Sequence, residues 1–265
     1  MDSNKVQRSA ACEKEKQLNR QIEAYWDERS TDFSKLRQKE LKGPCAPAWQ
    51  AYLKKKLPAE RELKILDIGT GAGFFAILLS KLGHRVTGID MSSDMLRQAK
   101  ENALAMGCRV EFRKMDAQEL AFPDSHFDAV LSRNLTWTLP DAMEAYRQWH
   151  RVLKEGGLLL NFDSDYGLMT FSRKKDQADV HANIRQELVT ECNAIKDKLR
   201  ISTHRRPQWD REFLCSLGME VEVEEDIAPQ VRVDTEMRFD PLPLFGILAY
   251  KQNQRAGDDD SLTAS

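Results

Sequence analysis

Apolar positions along the chain come in two rhythms. Short runs at residues 64–68, 85–90, 109–113, 127–131 and 158–162 predict strands. Between them lie stretches with apolar residues three and four apart. Phe74, Phe75, Ile77, Leu78, Leu79 and Leu82 form one such face, closed by Gly83. Met95, Leu96, Ala99, Ala103 and Met106 form the next, closed by Gly107, and Tyr146, Trp149, Val152 and Leu153 a third over residues 141–154. Alternation resumes at residues 219–223 and 244–250, which predict a sixth and a seventh strand. Short strands separated by helices imply an α/β fold, a doubly wound and mostly parallel seven-stranded sheet of Rossmann-like type.

Outside that alternation the rhythm changes. Residues 13–57 carry helical stripes (Leu18, Ile22, Tyr25 and Trp26, then Phe33, Leu36 and Leu41, then Trp49, Tyr52 and Leu53) and predict an N-terminal helical cap. Residues 168–208 are long, polar and helix-forming, with Ile184, Leu188, Cys192, Ile195 and Leu199 at helical spacing. They read as a helical lid insertion rather than a loop. The expected organisation is a disordered lead-in (1–12), the cap (13–57), a ligand-binding core (58–167), the lid (168–208), the rest of the sheet (209–253) and a disordered acidic tail (254–265).

The first strand runs into Asp67-Ile68-Gly69-Thr70-Gly71-Ala72-Gly73. Glycines at every second position let a ligand lie against bare backbone at a helix start. The dinucleotide fingerprint would need a third glycine where Phe74 stands, and Asp67 suits an amine-bearing ligand better than a pyrophosphate. Asp90 closes the second strand at about the distance usual for a ribose-binding carboxylate. A nucleoside without a diphosphate is therefore expected, which disfavours a nicotinamide dehydrogenase. Asp116, Arg133 with Asn134, and Asp163 follow the next three strands, so polar groups converge on the rim where open parallel sheets bind ligands.

Composition narrows the partners. The 265 residues can bury one large core, or a core plus a cap, and 41% apolar with 31% charged residues is ordinary for a globular protein. A net charge of −2 offers no general attraction for nucleic acid. No apolar run approaches the ~20 residues of a membrane span. Five scattered cysteines without a C-x-x-C pair fit a reducing cytoplasm. No histidine pair has metal spacing, so no metal is expected, and no Ser/His/Asp set is identifiable.

Five segments in order, residues 67–73, 88–92, 115–118, 127–132 and 151–157, resemble the class I S-adenosylmethionine (SAM) dependent methyltransferases. The likeness is greatest to the small-molecule branch of ubiquinone-biosynthesis type. It implies SAM as cofactor, held by Asp67 and the backbone of Gly69, Thr70, Gly71 and Gly73. Asp90 would take the ribose hydroxyls and Met91 the adenine face. Asp116 and Ala117 would read the adenine edge, while Ser132, Arg133 and Asn134 would meet the methionine moiety. The string Tyr25-Trp26-Asp27-Glu28-Arg29 resembles the N-terminal helix that many of these enzymes fold over bound cofactor. Glu155 stands where a proline usually precedes the double glycine. The stretch 133–140 is more aromatic than the common histidine-containing version, so no base is carried over there.

A sulfonium methyl donor is already activated, so in-line positioning supplies most of the catalysis and a base is needed only if the acceptor arrives protonated. The catalytic residue is accordingly unknown from sequence. Substrate-pocket candidates are Trp137, Asp163 and Tyr166 near the rim, with His181 and Arg206 from the insertion; Asp165, His204 and Trp209 lie close by. Arg185, Arg205 and Arg206 give the lid a charge suited to a polar or anionic acceptor. Methyl transfer to a small molecule on N, O, C or S is the leading expectation. A SAM-binding sensor without turnover is the alternative, and a metalloid methyltransferase using Cys45, Cys192 or Cys215 stays open.

Overall fold

A computed structural model of the protein describes residues 3–58, 61–173, 179 and 184–253. Two helices come first, α1 (Ser3–Lys42) and α2 (Cys45–Lys56). Then strands and helices alternate: β1 (Lys64–Ile68), α3 (Phe74–Lys81), β2 (Arg85–Asp90), α4 (Ser93–Ala105), β3 (Glu111–Lys114), β4 (Phe127–Arg133), α5 (Ala142–Val152) and β5 (Leu153–Asp163). The segment read as a lid contributes α6 (Gln186–Lys196), and α7 (Gln208–Ser216), β6 (Met219–Glu224), α8 (Ala228–Val231) and β7 (Phe245–Lys251) follow. The seven strands lie in the order β3-β2-β1-β4-β5-β7-β6, with β7 antiparallel to both neighbours.

Period-two alternation sorts the strand residues onto two faces. Leu66, Ile68, Val130 and Leu159 join one hydrophobic core, under α5, α6 and part of α1. Ile65, Ala129, Leu131, Leu158 and Leu160 join the other, with α2 and α3. Because the inner strands β1, β4, β5 and β7 are buried on both sides, their sequence runs are rich in apolar residues, whereas the edge strands β3 and β6 are mostly half-buried or exposed. Register brings the carboxyl ends together: Ile68 pairs with Ile89 and Ser132, and Ser132 with Asn161. Chain order reverses between β1 and β4, the switch point where such sheets leave a crevice.

Two boundaries differ from expectation. Helix α1 begins at Ser3, taking in most of the stretch expected as a disordered lead-in; Ala10 and Ala11 are strong helix formers that continue the amphipathic segment behind them. Gly156 and Gly157 lie inside β5 rather than before it. The pairing with β4 slips between Phe127 and Ala129, and Gly156 takes φ +69° there. The expected tail, 254–265, lies outside the described residues.

Candidate cofactor and acceptor site

The turn after β1 is built to be approached. Gly69 and Gly71 have φ of +63° and +52°, which L side chains rarely adopt. A Cβ on Gly69 would sit 2.7 Å from the Leu135 side chain, and one on Gly71 would sit 3.1 Å from the Phe33 ring. Asp67 lies beneath this turn, not in the cavity above it. Its carboxylate accepts the Thr70 hydroxyl at 2.6 Å and the Ala76 N–H at 3.0 Å, stitching the turn to the start of α3. Burial pushes its pKa up to about 7 against those two bonds. Asp67, Thr70 and Gly73, expected as direct ligands, therefore do not line the cavity; they shape what does.

Above the turn, one cavity crosses the switch point. Asp90 stands at its wall, accepting the Gly71 N–H and the Ser92 N–H, each at 2.9 Å. Burial pushes its pKa up to about 6. Met91, Asp116 and Ala117 line the same end. Asp116 accepts Gln118 N–H bonds from backbone and side chain and one from Asn19 of α1. Past β4, Asn134 takes a left-handed φ of 53°, and its side-chain oxygen is buried without a partner. Trp137, whose indole donates to the Asn134 carbonyl, meets Tyr166 and Phe171 in a corner of aromatic rings 4.9 to 5.8 Å apart.

Helix α1 closes the cavity. Asn19, Ile22, Trp26, Phe33, Arg37 and Glu40 line it, recurring at steps of three, four or seven, the face of a helix. That stripe, longer than the apolar one read from the sequence, was the signal for Arg37 and Glu40. Nothing local to the sequence pointed to Arg232, which also lines the cavity. The expected Tyr25 is one position off: Trp26 lines the cavity, whereas Tyr25 is buried in the apolar cluster that holds Cys192 and accepts an Arg29 N–H at 3.1 Å.

Two substrate candidates belong elsewhere. Arg206 reaches inward to Asp163 at 2.8 Å, to Thr136 at 2.7 Å and to both oxygens of Asp210. Tyr146 donates to Asp210 at 2.6 Å, and Asn161 donates to both Tyr146 and Thr136. Arg206 is 1% exposed in its side chain, and both aspartates are fully enclosed. This is a sealed ionic knot joining the segment before α7 to β4 and β5. Burial raises the Asp163 pKa, with the Arg206 charge opposing it. Of the remaining candidates, Asp165 accepts the Arg206 N–H, His204 stacks on Trp209 away from the cavity, and His181 lies outside the described residues. Arg185 pairs with Glu28 and Arg205 is exposed, and none of the three lid arginines read as suiting a polar or anionic acceptor lines the cavity.

Residues 65–157 match a family described as "Methyltransferase domain". Residues 65–157 carry a methyltransferase domain. A phosphatidylethanolamine N-methyltransferase of Cereibacter sphaeroides is 40% identical over 98 residues, 36% of this chain and 47% of that protein. A ubiquinone biosynthesis O-methyltransferase of Colwellia psychrerythraea is 34% identical over 99 residues, 37% of this chain and 40% of that one. The chain thus spans less than half the length of either relative. Among solved structures, a SAM-dependent methyltransferase from Aquifex aeolicus shares the fold at TM-score 0.54, with 20% identity over 83% of this chain and 98% of that one. The Haemonchus contortus phosphoethanolamine N-methyltransferase 2 in complex with SAM does so at TM-score 0.60, with 20% identity over 88% of this chain and 60% of that one.

The residues of this methyltransferase domain fit SAM. Bare glycine backbone lines the cavity beside Asp90, whose two oxygens each accept one backbone N–H and keep further acceptor capacity. Two buried side-chain oxygens that lack partners, those of Asn19 and Asn134, belong to residues of its lining. Among the described residues, no helix is long and apolar enough to cross a membrane.

Proposed function

We propose that the protein transfers a methyl group from SAM to a small-molecule acceptor by in-line displacement. The observation that carries this reading is the continuity of one cavity from Asp90 and the glycine turn, past Asn134, to the Trp137–Tyr166–Phe171 corner. One end suits a nucleoside, and the aromatic corner at the other leaves room for a second molecule. When bound, SAM supplies an activated methyl group on a sulfonium. Asp90 would hold the ribose hydroxyls with charge-assisted bonds of roughly 1.5–3 kcal/mol each. Met91 and Ala117 would bound the adenine, with Asp116, already engaged by Gln118 and Asn19, shaping its edge. Helix α1 would exclude water over the whole length, and such positioning can be worth roughly 7–11 kcal/mol.

Proton handling follows from the lining. Among the described residues it contains neither histidine nor lysine, and burial raises the Tyr166 pKa, so that hydroxyl keeps its proton at neutral pH. The bases of the lining are carboxylates, and Glu40 and Asp116 among them are already engaged, by Arg37 with Arg133 and by Gln118 with Asn19, so we read the acceptor as one that arrives as a free nucleophile. None of Cys45, Cys108, Cys192 and Cys215 lines the cavity, which leaves the thiol-based metalloid reading without support. Free thiols suit a cytoplasmic setting.

The test is twofold. Calorimetry should show binding of SAM and its demethylated product, S-adenosylhomocysteine (SAH). Incubation with methyl-labelled SAM and a fractionated metabolite pool should place label on a small molecule. Tight binding with no acceptor labelled under any condition would favour a sensor; no binding of either form would sink both.

A further inference from the structure

Three arginines line the cavity, each from a different part of the chain. Arg37 comes from α1, Arg133 from the end of β4 and Arg232 from just after α8. Glu40 gathers them: its Oε2 takes Arg37 Nη1 at 2.5 Å and Arg133 Nη2 at 2.9 Å, and the Arg232 charge also reaches it. Aromatic faces hold the guanidinium planes. Arg37 lies 4.7 Å from the Phe33 centroid, Arg133 4.4 Å from Phe74 and Arg232 5.4 Å from Phe239.

Charge does not single out this cluster, since Glu40, Asp240 and nearby Asp234 match the three cations. Hydrogen bonding does. A guanidinium presents five N–H donors in a fork, and Arg37 Nε is buried without a partner in a side chain only 9% exposed; Arg29 Nε is unpartnered too, but of the two only Arg37 lines the cavity. Arg232 spends one nitrogen on the Asp240 and Leu242 carbonyls. The group that matches a guanidinium fork is a planar or tetrahedral oxyanion, which accepts several N–H bonds at once. The Arg232 charge is also felt at Tyr166, which lines the same cavity with Asn134.

We propose that Arg37, Arg133 and Arg232 form an oxyanion site for a carboxylate or phosphate at the end of the cavity away from Asp116. The proposal rests on the methyltransferase reading above. The anion could belong to the methyl acceptor or to the amino-acid end of the cofactor, and the two sources separate experimentally. Inorganic phosphate is titrated into SAH-saturated full-length protein, and SAH is compared with methylthioadenosine, which lacks the amino-acid carboxylate.

If the acceptor brings the anion, phosphate binds the SAH-loaded protein. Arg232→Gln then weakens phosphate by about tenfold or more while SAH affinity moves less than about threefold. If the cofactor brings it, phosphate competes with SAH instead. Arg37→Gln then weakens SAH by about tenfold and leaves methylthioadenosine unchanged. Wild-type protein that binds SAH, yet shows phosphate neither joining nor competing with it, overturns the oxyanion site. Wild-type protein that binds no SAH overturns the underlying reading instead. The wild-type titrations decide the matter even if a variant fails to fold.

Discussion

Two groups of buried arginines make opposite use of one side chain. Around Arg206 every guanidinium nitrogen has a partner, the counter-charges Asp163 and Asp210 are fully enclosed, and Thr136, Tyr146 and Asn161 complete the web. Around Arg37, Arg133 and Arg232 one buried nitrogen has no partner, and all three residues line the cavity. An unsaturated guanidinium together with a place in the cavity lining marks an arginine left available to a ligand; Arg29 Nε is also buried without a partner, but Arg29 does not line the cavity. The first group holds elements together; the second leaves hydrogen-bonding capacity over.

The difference can be attacked from either side. Arg206→Ala should have the largest effect. It strands two buried carboxylates and should cost roughly 3–5 kcal/mol of unfolding free energy in urea titration. SAH affinity of the folded fraction should move less than about threefold. A variant as stable as wild type would show that the knot is dispensable. Asp90→Ala should do the reverse. Losing the charge-assisted acceptors for the ribose should weaken SAH by about 100-fold in calorimetry, with stability changed by no more than about 1 kcal/mol.

Acidity gives a subtler version of the same contrast. Burial raises the Asp90 pKa to about 6, so below that pH the group is protonated and SAH affinity should fall. Stability without ligand should run the other way. Asp67 and Asp90 have ordinary values of 3.8 and folded values of about 7 and about 6, so the folded chain holds protons that the unfolded chain has released between those limits. Their contribution is fully present below the lower limit and is lost as pH rises through the folded values. Thermal melts across that window should show the decline, and Asp67→Asn should flatten it. The smallest effect is expected from Arg232→Gln, whose unfolding free energy should stay within about 1 kcal/mol of wild type. A larger loss would make it part of the scaffold rather than of the cavity.

Much of the architecture was legible because it depends on local period. Alternating and helical spacing located all seven strands and the helices α3, α4 and α5 between the first five, though not α7 or α8, and spacing between the turn and Asp90 pointed to a nucleoside. Gly69, Gly71, Asp90, Met91, Asp116, Ala117, Arg133 and Asn134 all line the cavity, as their strand-end positions implied. What failed was the direction of individual polar side chains. Asp67 is captured by the Thr70 hydroxyl and the Ala76 N–H, a competition that no spacing rule ranks. Arg206 and Asp163 pair across 43 residues, and Arg37 and Arg232 line one cavity from opposite ends of the sequence. Such partnerships are set by packing of distant elements, on which a single sequence carries no periodic trace.

Helix α1 fastens to the core at widely spaced points: Asn19 on Asp116, Asp27 on Ser92, Gln38 on Asn102 and Glu40 on Arg133. From Asn19 to Glu40 that is about 30 Å of one continuous rod. A rod cannot lift at one latch while staying seated at the others without bending. Traffic through this roof is therefore cooperative, and the dwell time of whatever lies beneath should follow how often the whole bar comes unlatched, more than how tightly any single group grips.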